Sequence, residues 1–227
     1  MNYYIFENIK DSNFYPISAT RATTDIRIGA GTFLDRINTL ISSEDKLSLF
    51  VREEIEELTQ ERHPEIEVNP KEVTHGIWLA GNVFWTADLI KKIVHCSESK
   101  WFYETSAVGY NLSKSMGKSW QKQGGPANSE FSDDIETRDL SCDSVHYIWD
   151  IIDRIPKTLE EEIEGFDPNF KIINDLQSLH TVGENKIYID ETAHIESLVV
   201  LNAEKGPIII MDNVYVYSFA YLKGPLY

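Results

Sequence analysis

Two arginines lie in a loop that leads into a helix, and their chemistry suggests a role. The segment YPISATRATTDIRIGAGTFLDRI spans residues 15–37 and contains Arg21 and Arg27. A guanidinium group presents a rigid fork of N–H donors that matches phosphate oxygens. Arg27 is also close to the start of the following helix, where backbone N–H groups favour anions. We therefore predict that both arginines bind phosphate, the alternative being surface ion pairs with Asp25 or Asp35.

The elements that must position these arginines follow from the spacing of apolar residues. The N-terminal run NYYIF is typical of a β-strand, and the polar segment after it is rich in turn formers. Apolar residues then recur at helical spacing behind Thr32, a suitable N-cap, at Phe33, Leu34, Ile37, Leu40 and Ile41. Both arginines are therefore predicted to lie between the first strand and the first helix.

Strands and helices continue to alternate along the chain. GIWLAGNVF reads as a strand followed by the helix TADLIKKIVH, and KWFYETSAVGYNL reads as an edge hairpin. This pattern predicts a Rossmann-like α/β domain with a mainly parallel sheet over residues 1–185. The polar, glycine-rich residues 113–135 are predicted to form a mobile loop, and residues 145–166 to form a helix or a helix pair interrupted near Pro156.

A different period begins after residue 185. Apolar residues recur every six positions at Ile189, Ile195 and Leu201, and again, after a longer gap, at Ile210, Val216 and Leu222. A six-residue period suits a left-handed parallel β-helix, in which one apolar side chain of each hexapeptide points inward. We therefore predict that residues 186–227 are the first coils of such a β-helix. Because repeat stacks need about three units, we expect the chain to be cut within it.

Composition excludes several classes of partner. The chain has 37 acidic and 21 basic residues and a formal net charge of -16, which opposes binding to nucleic acid or anionic membranes. It has no apolar run of the roughly 20 residues that span a bilayer. Its two cysteines, Cys96 and Cys142, lack the spacing of a metal site. We therefore expect a cytoplasmic protein that binds neither nucleic acid nor membrane.

These features together resemble the sugar-1-phosphate nucleotidyltransferases. A nucleotidyltransferase domain followed by a left-handed β-helix is similar to the bifunctional type that makes UDP-N-acetylglucosamine, with its uridylyltransferase and acetyltransferase domains. The chain most resembles a short, divergent branch of this type from archaea and Bacteroidetes. The matching segments, in chain order, are NYYIFE, PISATRATTDIRIG, LAGNVF, IWDII and KGPIIIMD.

The resemblance implies a reaction, a cofactor and a set of site residues. A nucleoside monophosphate would pass from a nucleoside triphosphate to a sugar-1-phosphate, with UTP and N-acetylglucosamine-1-phosphate foremost, and Mg²⁺ would assist. Asn82 and Asp150 also have structural alternatives, as a strand-end turn residue and a helix N-cap. The residues implied for catalysis, substrate contact and metal ligation are, in that order, Arg21 and Arg27, then Thr20, Gly29 and Gly81, then Asn82 and Asp150.

The chain departs from the family pattern in the loop after the first strand. The family's glycine-rich loop is replaced by ENIKDSN, and the position of its lysine falls among Ala22, Thr23, Thr24 and Asp25. Two other functions therefore stay open: a nucleotide-sugar binding module without catalysis, and part of an acetyltransferase whose active coils are missing. We also expect homo-oligomers, dimers or trimers, associated through the β-helix.

Overall fold

The computed structural model describes residues 1–7, 13–104, 106–122, 125, 135–165 and 179–227. Packing of the chain divides it into two compact units. One comprises Met1–Arg27 and Gly31–Asp150, and the other comprises Ile28–Ala30 and Ile151–Tyr227. The predicted domain boundary at residue 185 stays a prediction.

The first unit is built on a seven-stranded sheet. Its strands are β1 (Asn2–Phe6), β4 (Lys46–Phe50), β5 (Glu67–Val68), β6 (Gly76–Ala80), β7 (Ser99–Tyr103), β8 (Ser106–Leu112) and β9 (Glu136–Asp139). Two short strands between β1 and β4, β2 (Arg27–Ile28) and β3 (Gly31–Thr32), pair with each other in a separate two-stranded sheet. The seven strands lie in the order β5-β4-β1-β6-β8-β7-β9. Strand β8 runs antiparallel to both neighbours, and the other pairs are parallel. The prediction of an α/β fold with a mainly parallel sheet is confirmed.

Helices connect these strands, and their ends follow local sequence signals. They are α1 (Phe33–Leu40), α2 (Glu56–Arg62), α3 (Ala87–Val94), α4 (Lys114–Lys122) and α5 (Ile148–Glu162). Helix α1 begins with a capping box, in which the Asp35 N–H donates to the Thr32 hydroxyl at 3.1 Å and the Thr32 N–H donates to the Asp35 carboxylate at 2.8 Å. The prediction of Thr32 as N-cap is confirmed. Among the described residues, no helix is both long and apolar enough to span a bilayer.

Aromatic rings fill the core on one face of this sheet. Trp78 stacks on Tyr4 with ring centroids 4.3 Å apart and meets Trp120 edge-on at 4.5 Å. Phe6 and Tyr110 also contact the Trp120 ring, at 5.6 and 5.1 Å. Such pairs stabilise a core beyond the area that they bury, so the sheet is a stable base for the loops at its ends.

Three sequence predictions about local structure are wrong. Residues 114–122 of the predicted loop form α4, because Trp120 buries its ring while polar residues face water. Helix α5 continues through Pro156, whose ring is exposed, while Thr158 and Leu159 just after it are buried. The hairpin of β7 and β8 does not end the sheet, because β9 pairs with the outer side of β7. Residues 123, 124 and 126–134 of the predicted loop lie outside the described residues.

The second unit consists largely of short parallel strands. They are β10 (His180–Val182), β11 (Ile187–Ile189), β12 (His194–Ile195), β13 (Val200–Asn202), β14 (Ile208–Ile210), β15 (Tyr215–Val216) and β16 (Tyr221–Lys223). They form three sheets, β10-β13-β16, β11-β14 and β12-β15, and the paired strands in each sheet are parallel. The residues predicted to point inward all join one apolar cluster: Ile189, Ile195, Leu201, Ile210, Val216 and Leu222.

Candidate functional site

The carboxyl ends of the adjacent parallel strands β4, β1 and β6 lie side by side and form the carboxyl-end edge of the first sheet. The Glu7 N–H, just past β1, donates to the Phe50 carbonyl at the end of β4 at 2.9 Å. The Gly81 N–H, just past β6, donates to the Phe6 carbonyl at 2.9 Å. Ligands of open α/β sheets bind at such carboxyl ends, so this edge is the candidate site.

A buried carboxylate anchors the arginine-bearing loop at this edge. Glu7 is 3% exposed and accepts hydrogen bonds from the Thr23 N–H at 2.9 Å and the Thr23 hydroxyl at 3.3 Å. It also accepts from the Arg52 N–H at 3.0 Å and from Arg52 Nη1 at 2.7 Å. Glu7 thereby ties residue 23 to the end of β4. Sequence reasoning missed this role, although an acidic residue directly after an apolar strand was its signal.

A second buried carboxylate fixes the same loop two residues further on. The side chain of Asp25 is 4% exposed, and its oxygens lie 2.8 Å from Arg62 Nη1 and 2.6 Å from His63 Nε2. Asp35 is engaged by Thr32 in the capping box. The two carboxylates considered as surface partners of Arg21 and Arg27 are therefore bound by other groups.

The backbone around Arg21 lies beside the end of β4. Arg52 Nη2 donates to the Arg21 carbonyl at 3.3 Å and to the Ser18 carbonyl. The side chains of Arg21, Thr20 and Arg27 are all exposed. The loop is thus held from inside by Glu7, Asp25 and Arg52 while its predicted ligands stay accessible. That the guanidinium groups share one cleft stays a prediction.

Gly81 is needed at its position because the loop packs directly onto it. A Cβ on Gly81 would lie 2.6 Å from Cγ2 of Thr24, closer than real contacts allow. The Thr24 hydroxyl is buried and has no hydrogen-bond partner among the described residues. Absence of a side chain at residue 81 thus lets the arginine loop lie against the end of β6.

Asn82 is buried and holds the chain at Val145. Its Nδ2 donates to the Val145 carbonyl at 2.8 Å, and the Val145 N–H donates to the Asn82 carbonyl at 3.0 Å. Directly beside this link, an antiparallel bridge joins Val83 to Ser144. Asn82 follows the end of β6, as its structural alternative predicts, and residues 82 and 83 also bond to residues 145 and 144.

The Asp150 carboxylate binds the backbone of the next two residues of this segment, His146 and Tyr147. Asp150 is the third residue of α5, and its Oδ2 accepts from the His146 N–H at 2.8 Å and the Tyr147 N–H at 2.9 Å. This carboxylate therefore caps the start of the helix from its third position and not as the N-cap. The structure thereby joins the two predicted metal ligands, Asn82 and Asp150, through residues 145–147.

Gly29 packs against helix α5. Its φ is +74°, and a Cβ there would lie 2.4 Å from Oε2 of Glu162 in α5. The same carboxylate oxygen accepts the Ala30 N–H at 2.7 Å. Left-handed backbone and close packing both favour glycine here. The predicted contact of Gly29 with substrate remains a prediction.

Cys142, close to this segment, is not suited to nucleophilic chemistry. Burial, with the charge of Asp143 adding to it, raises the pKa of the Cys142 thiol to about 11. At neutral pH the side chain is therefore a neutral thiol, whereas a nucleophile needs the thiolate. Within the described ranges, no three His, Cys, Asp or Glu side chains come together as a metal site.

Comparison with known proteins identifies the family. A family model described as sugar nucleotidyl transferase matches residues 3–169, well over half of the chain. The chain belongs to the sugar nucleotidyl transferase family. A search of the curated proteins finds no match. The matched range covers the seven-stranded sheet apart from Asn2 and includes every predicted site residue. The general activity of the sugar nucleotidyl transferase family is nucleotidyl transfer onto sugar phosphates.

In this sugar nucleotidyl transferase, two segments that carry predicted site residues lie at the candidate site. The loop of residues 20–27 supplies exposed arginines beside the ends of β1 and β4. The segment of residues 145–150 links Asn82 to Asp150 beside the end of β6. Phosphoryl transfer relies mainly on positioning and on positive charge around the transferred group, and that these two segments supply them stays a prediction.

Proposed function

We propose that the chain transfers uridine monophosphate from UTP to N-acetylglucosamine-1-phosphate and releases pyrophosphate. The observation that carries this proposal is the meeting of the Arg21 loop and the Asn82–Asp150 segment at one sheet edge of a sugar nucleotidyl transferase. The choice of base and sugar rests on the resemblance to the enzymes that make UDP-N-acetylglucosamine. The cytoplasm is the expected compartment.

Arginine would replace the missing glycine loop and lysine in handling charge. In the reaction, a phosphate oxygen of the sugar-1-phosphate attacks the α-phosphorus of UTP, and the bond to the pyrophosphate oxygen breaks. Arg21 and Arg27 are exposed on a loop that Glu7 and Asp25 fix from below. Their forks of donors would stabilise the charge that builds up on the transferring phosphoryl group and on pyrophosphate.

The donor atoms present suit Mg²⁺ in kind. Asp150 uses Oδ2 for two backbone N–H groups, and Asn82 uses Nδ2 for the Val145 carbonyl. Each side chain keeps its Oδ1, for which the described residues show no hydrogen-bond donor. Mg²⁺ needs only one or two protein oxygens when substrate phosphates supply others. We infer that Asp150 and Asn82 would hold the ion, which would neutralise phosphate charge.

A binding module without catalysis is the second candidate. Its specific support is that Asn82 and Asp150 already serve the structure through their bonds to residues 145–147. The replaced loop, ENIKDSN, points the same way, but its residues 8–12 lie outside the described part of the chain. Such a module would bind UDP sugars without releasing pyrophosphate from UTP.

For the second unit we propose coils of a left-handed β-helix. The parallel registers and the single cluster of predicted inward residues support a coiled solenoid. Association of copies through this unit, as dimers or trimers, is part of the proposal. Light scattering over a range of concentrations tests it, and a monomer at all concentrations would contradict it.

Pyrophosphate release tests the proposed activity. The purified chain is incubated with each of the four nucleoside triphosphates and a panel of sugar-1-phosphates, with Mg²⁺ or with EDTA. We expect the fastest release with UTP and N-acetylglucosamine-1-phosphate, and none with EDTA. Calorimetric titration with UTP separates the candidates: binding without any release supports the binding module, and neither binding nor release contradicts both.

A further inference from the structure

One tryptophan of the chain is placed unlike the others. Four tryptophans are buried, each at most 6% exposed: Trp78, Trp85, Trp101 and Trp120. Trp149 is 56% exposed, although its apolar neighbourhood in the sequence predicts a core residue. Tyr147 is 41% exposed and stacks on Trp149, with ring centroids 4.6 Å apart and planes 8° from parallel. Two large rings thus stand together in solvent.

The stacked rings belong to the segment that joins the predicted cation ligands. The Asp150 carboxylate accepts a hydrogen bond from the Tyr147 N–H at 2.9 Å, and the Asp150 N–H donates to the Tyr147 carbonyl at 3.1 Å. Two residues earlier, Asn82 pairs with Val145 in both directions. The backbone that carries the rings is therefore fixed on both sides, which lowers the entropic cost of binding a ligand against them.

We propose that the Tyr147–Trp149 pair is the platform for the hexose ring of the sugar-1-phosphate, an assignment that rests on the proposed function. The face of an aromatic ring is electron-rich and suits the C–H groups that a sugar ring presents on its apolar face. Trp149 directly precedes Asp150 in the chain, so their Cα atoms are about 3.8 Å apart. A sugar-1-phosphate has the same adjacency, because its phosphate is attached directly to the ring.

This adjacency favours the acceptor sugar over the nucleobase. The phosphate of the acceptor would lie toward Asp150 and the ion, while its ring would lie on Trp149. In UTP, a ribose separates the base from the phosphates, which places the base one sugar width further from Asp150. The anionic phosphates themselves gain nothing from the face of an aromatic ring, whose quadrupole repels them.

Trp149 also makes the test direct, because a soluble quencher such as acrylamide reaches it more readily than the four buried tryptophans. Quenching is measured with N-acetylglucosamine-1-phosphate plus Mg²⁺, with UTP plus Mg²⁺, and with inorganic phosphate plus Mg²⁺. We expect the sugar phosphate alone among the three to protect Trp149. Protection by UTP only would assign the rings to the base, and no protection by the sugar phosphate would overturn the proposal. The variant Trp149→Phe should lose the quenchable signal, which identifies its source.

Kinetics give a second, independent readout. We expect Trp149→Ala to raise the KM for the sugar-1-phosphate about tenfold or more and to leave the KM for UTP within about twofold, with Trp149→Phe close to the wild type. The control is Tyr217→Ala, which removes a ring that is 71% exposed in the second unit. Equal effects on both substrates would overturn the platform. Sugar-phosphate protection in a chain without pyrophosphate release would reject the proposed activity and keep the sugar site.

Discussion

Asn82 and Asp150 hold adjoining residues of one segment, since Asn82 bonds Val145 twice and Asp150 accepts the N–H groups of His146 and Tyr147. Two residues that are 68 positions apart in sequence are thereby coupled through three residues of backbone. A substitution that breaks the bonds of one of them should therefore also disturb the residues that the other one holds.

Replacing Asn82 by aspartate should destabilise the protein. The amide Nδ2 donates to the buried Val145 carbonyl, and a carboxylate cannot donate, so two acceptors would face each other. We expect Asn82→Asp to lower the free energy of unfolding by about 1–3 kcal/mol, as measured by urea denaturation. Asn38→Asp on the exposed side of α1 is the control and should change little. Unchanged stability of Asn82→Asp would contradict the role assigned to the amide.

Removing the Glu7 charge should release the arginine loop. Glu7 is buried and pairs with Arg52 at 2.7 Å while holding Thr23, so Glu7→Ala leaves the Arg52 guanidinium without its carboxylate partner. We expect a loss of about 3 kcal/mol in the free energy of unfolding and faster proteolytic cleavage within residues 13–27. The control is Glu67→Ala, which breaks the exposed ion pair with Lys46 and should cost less than about 1 kcal/mol.

A methyl group at residue 81 should force the loop away from β6. A Cβ on Gly81 meets Cγ2 of Thr24 at 2.6 Å, so Gly81→Ala should cost about 1–3 kcal/mol. Thr24→Ser removes that methyl, and the double variant should recover most of the loss. Gly165→Ala is a matched control, because nothing lies within 4 Å of its Cβ. A double variant no more stable than Gly81→Ala would contradict this contact.

Stability should fall at alkaline pH because of Cys142. Its pKa is about 11 in the folded chain against 9.0 for an unperturbed thiol, so the unfolded chain loses this proton first. The contribution is therefore complete below pH 9 and is lost as pH rises toward 11, by about 2–3 kcal/mol. The difference in unfolding free energy between wild type and Cys142→Ala should change over that range. A difference independent of pH between 8 and 11 would count against the raised pKa.

Activity, once measured, should depend on Arg27. We expect Arg27→Ala to lower kcat/KM by about tenfold or more, the scale of one lost charge-assisted contact, with little change in melting temperature because the side chain is exposed. Lys46→Ala is the charge-matched control, since Lys46 begins β4 at the opposite, amino end of the strand. An equal loss in both variants would assign the effect to net charge.

Local signals in the sequence predicted much of the fold. Thr32 precedes an apolar helical pattern, and the capping box is present there. The six-residue period from Ile189 to Leu222 identified one apolar cluster. Helix α4 was not predicted because it has few apolar side chains and therefore no clear helical pattern. It is held to the sheet mainly by the buried ring of Trp120. The predicted interruption at Pro156 is absent, because the packing of Leu159 stabilises the helix by more than one lost backbone hydrogen bond costs.

The site was less predictable because its contacts are long-range. The motifs identified Asn82 and Asp150, but no local pattern shows that Val145, His146 and Tyr147 connect them. Glu7 gains its role only when residues 23 and 52 arrive beside it. The exposure of Trp149 likewise depends on what packs near α5, which hydropathy cannot tell.

The parallel registers imply that the two units acquire their contacts in different orders during synthesis. In the second unit, His180 pairs with Val200 and Val200 with Tyr221, so each strand finds its partner soon after it is made. In the first unit, Tyr3 pairs with Ile77, and the central strand must wait with one side open until β6 has been made. Long-range pairing of this kind slows folding. The side of β1 that pairs with β6 is therefore open to misassociation in a nascent chain, while the second unit adds its strands one at a time.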